Sequence, residues 1–372
     1  LVGSGLLSYV DTNGKLLSTD RTWEVIKNYN IGLDFGFLDN RLTGTAELFW
    51  KKCNNMLIDV TYPGTLGDKA PTANRGSFKA NGWEGTINWS DKIGEISYHL
   101  GGTFTYTTNK LVDNGGDAVI KSGVVSNREG YPLNSVFGLK YCGKIQTQDQ
   151  LDKYINQYAN GNNNIAMPGN LRLGDNMYED VNKDGKLTEA DYVYLGTDDP
   201  KVSFSFNAGL SWKGFDVSVI FQGAGKRTVW RGGENNQKGK NDNWRIPMMS
   251  WYNNSTNQSV GNVWSAETPN AHYPTYTHQT QINLYNYICS SWSVEDGAYL
   301  RLKNVTLGYT FPANVLSKTK FISYARIYVS GADLWENSKI KDGWDPEASR
   351  KVETFGRYPF TRNLTVGLNL TF

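Results

Sequence analysis

The chain has 372 residues, 38 basic against 36 acidic, and this near-neutral balance of +2 removes the electrostatic basis for a nucleic-acid partner. Its three cysteines, Cys53, Cys142 and Cys289, are odd in number and include no C-x-x-C pair, which speaks against a disulfide framework and a zinc site. Twelve Trp, 22 Tyr and 39 Gly favour strands and turns, and no apolar run approaches the ~20 residues of a membrane-spanning helix.

The opening LVGSGLLSYV has neither Met nor a basic leader and reads as carrying no signal peptide. A membrane barrel remains open, because a barrel strand is apolar only at every second position and looks polar to a hydropathy window.

Taken in chain order, Tyr29, Ile31, Leu33, Phe35 and Phe37 alternate with polar or small residues, a turn falls at Asp39-Asn40, and Leu42, Gly44, Ala46, Leu48 and Trp50 return. This predicts a hairpin. Residues 76–89, with Trp83, Ile87 and Trp89, and 94–110, with Ile96, Tyr98, Leu100, Phe104 and Tyr106, predict two more strands, and 132–145 a further one. The stripe Leu151, Tyr154, Ile155 and Tyr158 predicts a loop helix over 147–160.

Next comes YEDVNKDGKLTEADYVYLG. Asp180, Asn182 and Asp184 stand at positions 1, 3 and 5 of a loop, Gly185 at 6, the Lys186 carbonyl at 7, Thr188 at 9 and Asp191 at 12. Alternating oxygen donors around a glycine turn suit Ca2+, with an Asp at position 12 shorter than the usual Glu and hence a weaker site. The alternative is an Asx-rich turn whose carboxylates cap backbone amides.

VSFSFNAGLSW and FDVSVIF then form a hairpin about Lys213-Gly214. The 233–290 segment carries Trp244, Trp251, Tyr252, Trp264, Tyr273, Tyr276, Tyr285 and Tyr287 among Asn and Gln. Ring faces with amide partners suit a glycan or a peptide, so Trp244, Trp251, Tyr252, Trp264, Tyr273 and Tyr276 are the candidate substrate contacts; packing of the long loop on itself is the alternative. Strands follow at 295–311, 321–335 and in NLTVGLNLTF, where Leu364, Val366, Leu368, Leu370 and Phe372 share one face.

The tally is roughly ten strands joined alternately by tight turns and long segments, the pattern of an all-β, antiparallel up-and-down transmembrane barrel with long extracellular loops. Trp23, Trp50, Trp83, Trp89, Trp212, Trp292 and Trp335 fall near strand ends, as interfacial girdle residues do. His99, His272 and His278 have no nucleophile or carboxylate at a catalytic spacing, so the chain does not read as an enzyme.

Several strings then carry a family resemblance: DGAYLRLKNVTLGYTFP (296–312), GWDPE (343–347), the YEDVNKDGKLTEADYVYLG loop, WKGFDVSVIFQGAGK and the terminal YPFTRNLTVGLNLTF. Together they resemble the carboxy-terminal part of the SusC/RagA family of TonB-linked outer-membrane transporters of Bacteroidetes. The resemblance implies a 22-stranded plugged barrel importing oligosaccharides or peptides, energised through TonB and closed by a SusD-like lipoprotein, with dimers of transporter–lid pairs among the assemblies it admits. On this reading all of 1–372 belongs to the barrel, and the plug and amino-terminal strands are not in this chain. Two alternatives are a secreted, calcium-stabilised carbohydrate-binding β-sandwich and a passive porin-like channel.

Overall fold

The computed structural model describes residues 21–59, 72–114, 125–158, 170–230, 261–277, 279–319, 321–340, 345–347 and 361–372. One antiparallel sheet dominates, formed by β1 (Val25–Phe37), β2 (Leu42–Asp59), β3 (Thr72–Ile93), β4 (Ile96–Asn114), β10 (Val202–Trp212), β11 (Phe215–Ala224), β14 (Tyr299–Thr310), β15 (Tyr324–Ser338) and β16 (Asn363–Thr371), in that spatial order. Nine of the ten predicted strands are therefore wall strands. The tenth, 132–145, instead supplies two short strands, β6 (Ser135–Gly138) and β7 (Tyr141–Lys144), to a separate loop assembly. The shortest wall strand, β16, has 9 residues, which meets the ~9–11 that a tilted strand needs to cross a bilayer.

Register turns the period-two pattern into faces. Leu42, Trp89, Leu100, Ala208, Val219, Val305, Gly331 and Leu364 lie opposite one another across eight strands, and Trp212, Phe215, Tyr309, Ile327 and Leu368 form a parallel row beside them. All are on one side of the sheet. This face is open: Leu364 is 74% exposed, Val366 73% and Leu368 61%.

The other face is wet. There Thr45, Thr86, Thr103, Ser205, Gln222, Arg301 and Glu336 are cross-strand neighbours, with hydroxyl pairs Thr45–Thr86 at 2.8 Å and Thr103–Ser205 at 2.7 Å. His99 sits on this polar face, its ring lying over Gly209.

The connections divide the two ends. On one end they are short: 38–41, 94–95, 213–214 and 311–323. Lys213 (φ 47°) and Gly214 (φ 88°) are both left-handed, the geometry that a two-residue hairpin between right-twisted strands requires, and a Cβ at Gly214 would strike the Thr310 carbonyl. At the other end β2 passes to β3 through 60–71, and the three longest connections, 115–201, 225–298 and 339–362, leave the wall. No second sheet covers the apolar face among the described residues, so the sandwich alternative does not describe this fold.

A single layer with one greasy face is unstable in water and stable in lipid, since each fully buried Leu or Val gains roughly 1.5–3 kcal/mol on leaving water. Replacing Val219 or Leu368 by Arg is predicted to cost ~2–4 kcal/mol where the site lies at mid-bilayer, whereas Ser218→Arg on the wet face costs much less. Urea titration of the protein folded in phospholipid vesicles reads this difference, and equal costs on both faces would contradict the assignment.

Candidate functional site

Two of the long connections fold together into a cap. It comprises β5 (Val125–Ser126), β6 and β9 (Val193–Thr197) as one small sheet, β7 paired with β8 (Asn176–Tyr178), β12 (Thr228–Val229) paired with β13 (Glu295–Asp296), and the helices α1 (Gln148–Tyr158) and α2 (Thr280–Asn286). The predicted helix over 147–160 is α1. Unlike the wall, the cap has a conventional core, in which Phe137, Leu139, Ile145, Leu151, Tyr154, Tyr178, Leu187 and Tyr285 pack together. It is tied to β4 by Leu111, whose amide donates to the Tyr131 carbonyl at 2.9 Å, and by Asn109, which accepts from the Leu133 amide at 2.8 Å.

Within that core a polar chain joins the two connections. The Tyr154 and Tyr285 hydroxyls are 2.6 Å apart, and the Tyr178 amide donates to the Tyr154 hydroxyl at 2.8 Å. Asn176 donates from its amide and side chain to Asn286, both at 2.8 Å, and Asn286 Nδ2 donates to Asp175 at 2.8 Å. Burial raises the pKa of all three tyrosines and of Asp175; the bonds from Asn286 and Arg172 to Asp175 oppose the shift without cancelling it. Tyr285, one of the aromatic residues of the 233–290 segment, is a core residue: its ring is boxed in by Tyr154 and Tyr178.

The 180–191 loop closes through its own oxygens. Asp180 accepts from the Asp184 and Gly185 amides, Asn182 from the Asp184 amide, and Asp184 from the Lys186 amide. Asp191 accepts from Val181, Asn182 and Thr188, while the Thr188 hydroxyl accepts from the Ala190 amide, completing a capping box. These are the bonds of the Asx-rich turn. No cluster of three or more His, Cys, Asp or Glu at metal-holding spacing occurs among the described residues.

Of the candidate substrate contacts, Trp244, Trp251 and Tyr252 lie outside the described residues. Trp264 and Tyr273 are brought together by a main-chain bond, Trp264 N–H to the Tyr273 carbonyl at 3.0 Å. Trp264 is held further by its indole N–H to Gln146 at 2.9 Å and by its ring against Gly174, whose positive φ of 86° and lack of a side chain make room for it. Tyr276 offers its carbonyl to Arg172 at 3.3 Å. Trp264, Tyr273 and Tyr276 all remain partly exposed.

Two arrangements were missed in the sequence. The first is a charged clamp on the wet face. Arg301, with a fully buried side chain, pairs with Glu336, with Asp345 at 2.8 Å and with Glu347 at 3.2 Å. Lys303 pairs with Asp333 at 3.2 Å and Glu347 at 3.1 Å, and Arg227, bound to Asp198 at 2.6 Å, donates to the Pro346 carbonyl. The Asp345–Glu347 part of GWDPE thus pins the β15–β16 connection to the wall. The second is a ring cluster about Trp292, which neighbours Tyr141, His272 and Tyr287. Trp292 was expected in a membrane girdle, but it belongs to the cap, because the turn at 291–293 precedes β13 rather than ending a wall strand.

An amphipathic antiparallel wall with one turn-bearing end and one folded, loop-bearing end defines a membrane β-barrel protein. Residues 6–141 match the family model described as TonB dependent receptor-like, beta-barrel. TonB-dependent receptor P26 of Formosa agariphila is 27% identical over 97% of this chain and 36% of its own length. TonB-dependent receptor SusC of Bacteroides thetaiotaomicron is 23% identical over 98% and 33%. The structure of the RagAB peptide importer in the open-open state superposes with a TM-score of 0.71 at 20% identity, over 94% of this chain and 35% of that one. Over residues 6–141 the chain thus matches the TonB-dependent receptor-like β-barrel model, and along most of its length it is similar to TonB-dependent receptors, SusC among them. It spans about a third of the length of these relatives.

Proposed function

We propose that this chain is the carboxy-terminal wall and cap of a bacterial outer-membrane importer. The cap gathers an oligosaccharide or peptide beneath a SusD-like surface lipoprotein, and TonB supplies the energy for its passage. The observation that carries the reading is the division of the sheet into a lipid face and a wet face, with every long connection on one end. The family match and the likeness to SusC support it, and the likeness to a peptide importer supports the peptide alternative for the cargo.

No covalent chemistry is assigned. Trp264, Tyr273 and Tyr276 are proposed as ligand contacts, since partly exposed rings beside amides such as Gln146 and Asn262 offer apolar faces together with donors and acceptors. In cells bearing the protein, removal of TonB is expected to abolish accumulation of fluorescent oligosaccharides or peptides. Accumulation that persists at the same rate without TonB would establish a passive pore instead.

The 180–191 loop is proposed to bind Ca2+ weakly. Support comes from the alternating oxygens at Asp180, Asn182 and Asp184, the Lys186 carbonyl, Thr188 and Asp191, and from the lone pairs the carboxylates keep beyond their amide bonds. Chelation, or Asp180→Ala with Asp184→Ala, should speed proteolysis within 175–196. Cleavage unchanged by chelator would remove the ion from this account.

A further inference from the structure

β7 carries an irregularity with a consequence for chemistry. Its register slips between Tyr141 and Gly143, and Gly143 adopts a φ of 125°, a conformation that L side chains rarely accept. Residues three apart on a regular strand point to opposite faces, but a bulge re-aims the side chains on either side of it. Here it brings Lys144 back to Tyr141, with Nζ 3.4 Å from the phenol oxygen and 5.9 Å from the ring centre.

That lysine is unusual in its surroundings. It is half-buried, yet among the described residues its ammonium pairs with no carboxylate and bonds only the Tyr141 hydroxyl. Burial lowers its pKa. Elsewhere in the cap and clamp Arg227 is matched by Asp198 and Lys303 by Asp333 and Glu347, while Arg128 lies over the Phe137 ring and bonds the Ser126 hydroxyl. An ammonium taken partly out of water without a counter-charge favours an anion brought by something else.

Tyr141 in turn adjoins further rings. The centre of Trp292 is 6.3 Å from that of Tyr141 and 5.3 Å from that of His272, while Tyr287 supports it edge-on at 5.5 Å. Trp292 is half-buried. The main chain is already committed on both sides of the corner. Tyr141 pairs with Tyr178 on one side; on the other its amide donates to the Ser291 hydroxyl, the Leu139 amide to Cys289 and the Ser291 amide to Leu139. Little remains for a peptide backbone to pair with by strand addition. What the corner offers is stacking surface, one ammonium, one indole donor and hydroxyls, which is the chemistry that recognises an acidic sugar.

We infer that Lys144, Tyr141 and Trp292 form a subsite for an acidic oligosaccharide, the ammonium taking a uronate carboxylate while the sugar ring lies against Trp292. This rests on the capture role proposed for the cap and narrows its cargo. The test is calorimetric titration of the protein, purified from outer membranes in detergent, with trigalacturonate, with carboxyl-reduced trigalacturonate and with trialanine. The wild type is expected to prefer trigalacturonate. Lys144→Gln should lose about ten-fold or more in affinity for it, a charged hydrogen bond's worth, with Lys144→Arg retaining most of the binding. Trp292→Ala should weaken both sugars, and heat-modifiable migration on gels confirms that each variant is folded. Unchanged affinity of Lys144→Gln for trigalacturonate, or preference for trialanine over both sugars, overturns the subsite alone. Failure of the wild type to bind any of the three overturns the subsite together with the capture reading.

Discussion

Inside a bilayer no water is available to satisfy a peptide group, so a strand can cross only if its neighbours take every N–H and C=O it carries. The antiparallel wall from β1 to β16 meets that condition for its interior strands by pairing each with a neighbour on both sides, with local register shifts such as those at Ile220/Phe221 and Leu302/Asn304. Once pairing is fixed, the pleat sends successive side chains to opposite solvents, and the composition of each face follows. A one-residue slip would exchange the faces wholesale, turning Leu364, Val366 and Leu368 to water and Thr365 and Asn369 to lipid. Register is therefore specified strongly even though the wall itself has almost no packed interior.

The cap solves the opposite problem. Its short strands and two helices lie beyond the lipid-facing rows and bury apolar side chains as a soluble domain does, with Leu187, Ile145 and Leu139 fully enclosed. Its polar chain from Tyr285 through Tyr154, Tyr178 and Asn286 to Asp175 is bonded at each step, which is the condition for polar groups to be buried without large cost. A rigid cap presents its ring faces in fixed places. The clamp of Arg301 and Lys303 does the same for the β15–β16 connection, holding Asp345 and Glu347 against strands more than thirty residues away in sequence.

The wall was legible in the sequence because its physics is local. Alternation in NLTVGLNLTF, in VSFSFNAGLSW and around Tyr29–Phe37 reports directly on which solvent each residue meets. The same signal misplaced 132–145, since the short cap strands β6 and β7 also alternate, and nothing local distinguishes a wall strand from a cap strand. Trp292 was misjudged for a related reason: an aromatic residue near a strand end shows its type but not its neighbours. Arg301 with Asp345, Tyr141 with Trp292 and Asn176 with Asn286 depend on contacts between distant segments, so only the fold could bring them together. GWDPE and the DGAYLRLKNVTLGYTFP string that holds Arg301 were both visible as parts of a resemblance, and the pairing between them was not.

The claim on which the account rests is that consecutive residues of a wall strand meet lipid and water in turn. Nitroxide labels placed one at a time from 363 to 370 along β16, in the protein folded in phospholipid vesicles, measure this through relaxation by oxygen, which partitions into lipid, and by a water-soluble nickel chelate. The account predicts a period of two, with oxygen dominant at 364, 366 and 368 and nickel dominant at 365, 367 and 369. Uniform accessibility along the strand, or protection of 364, 366 and 368 from both reagents, would contradict it.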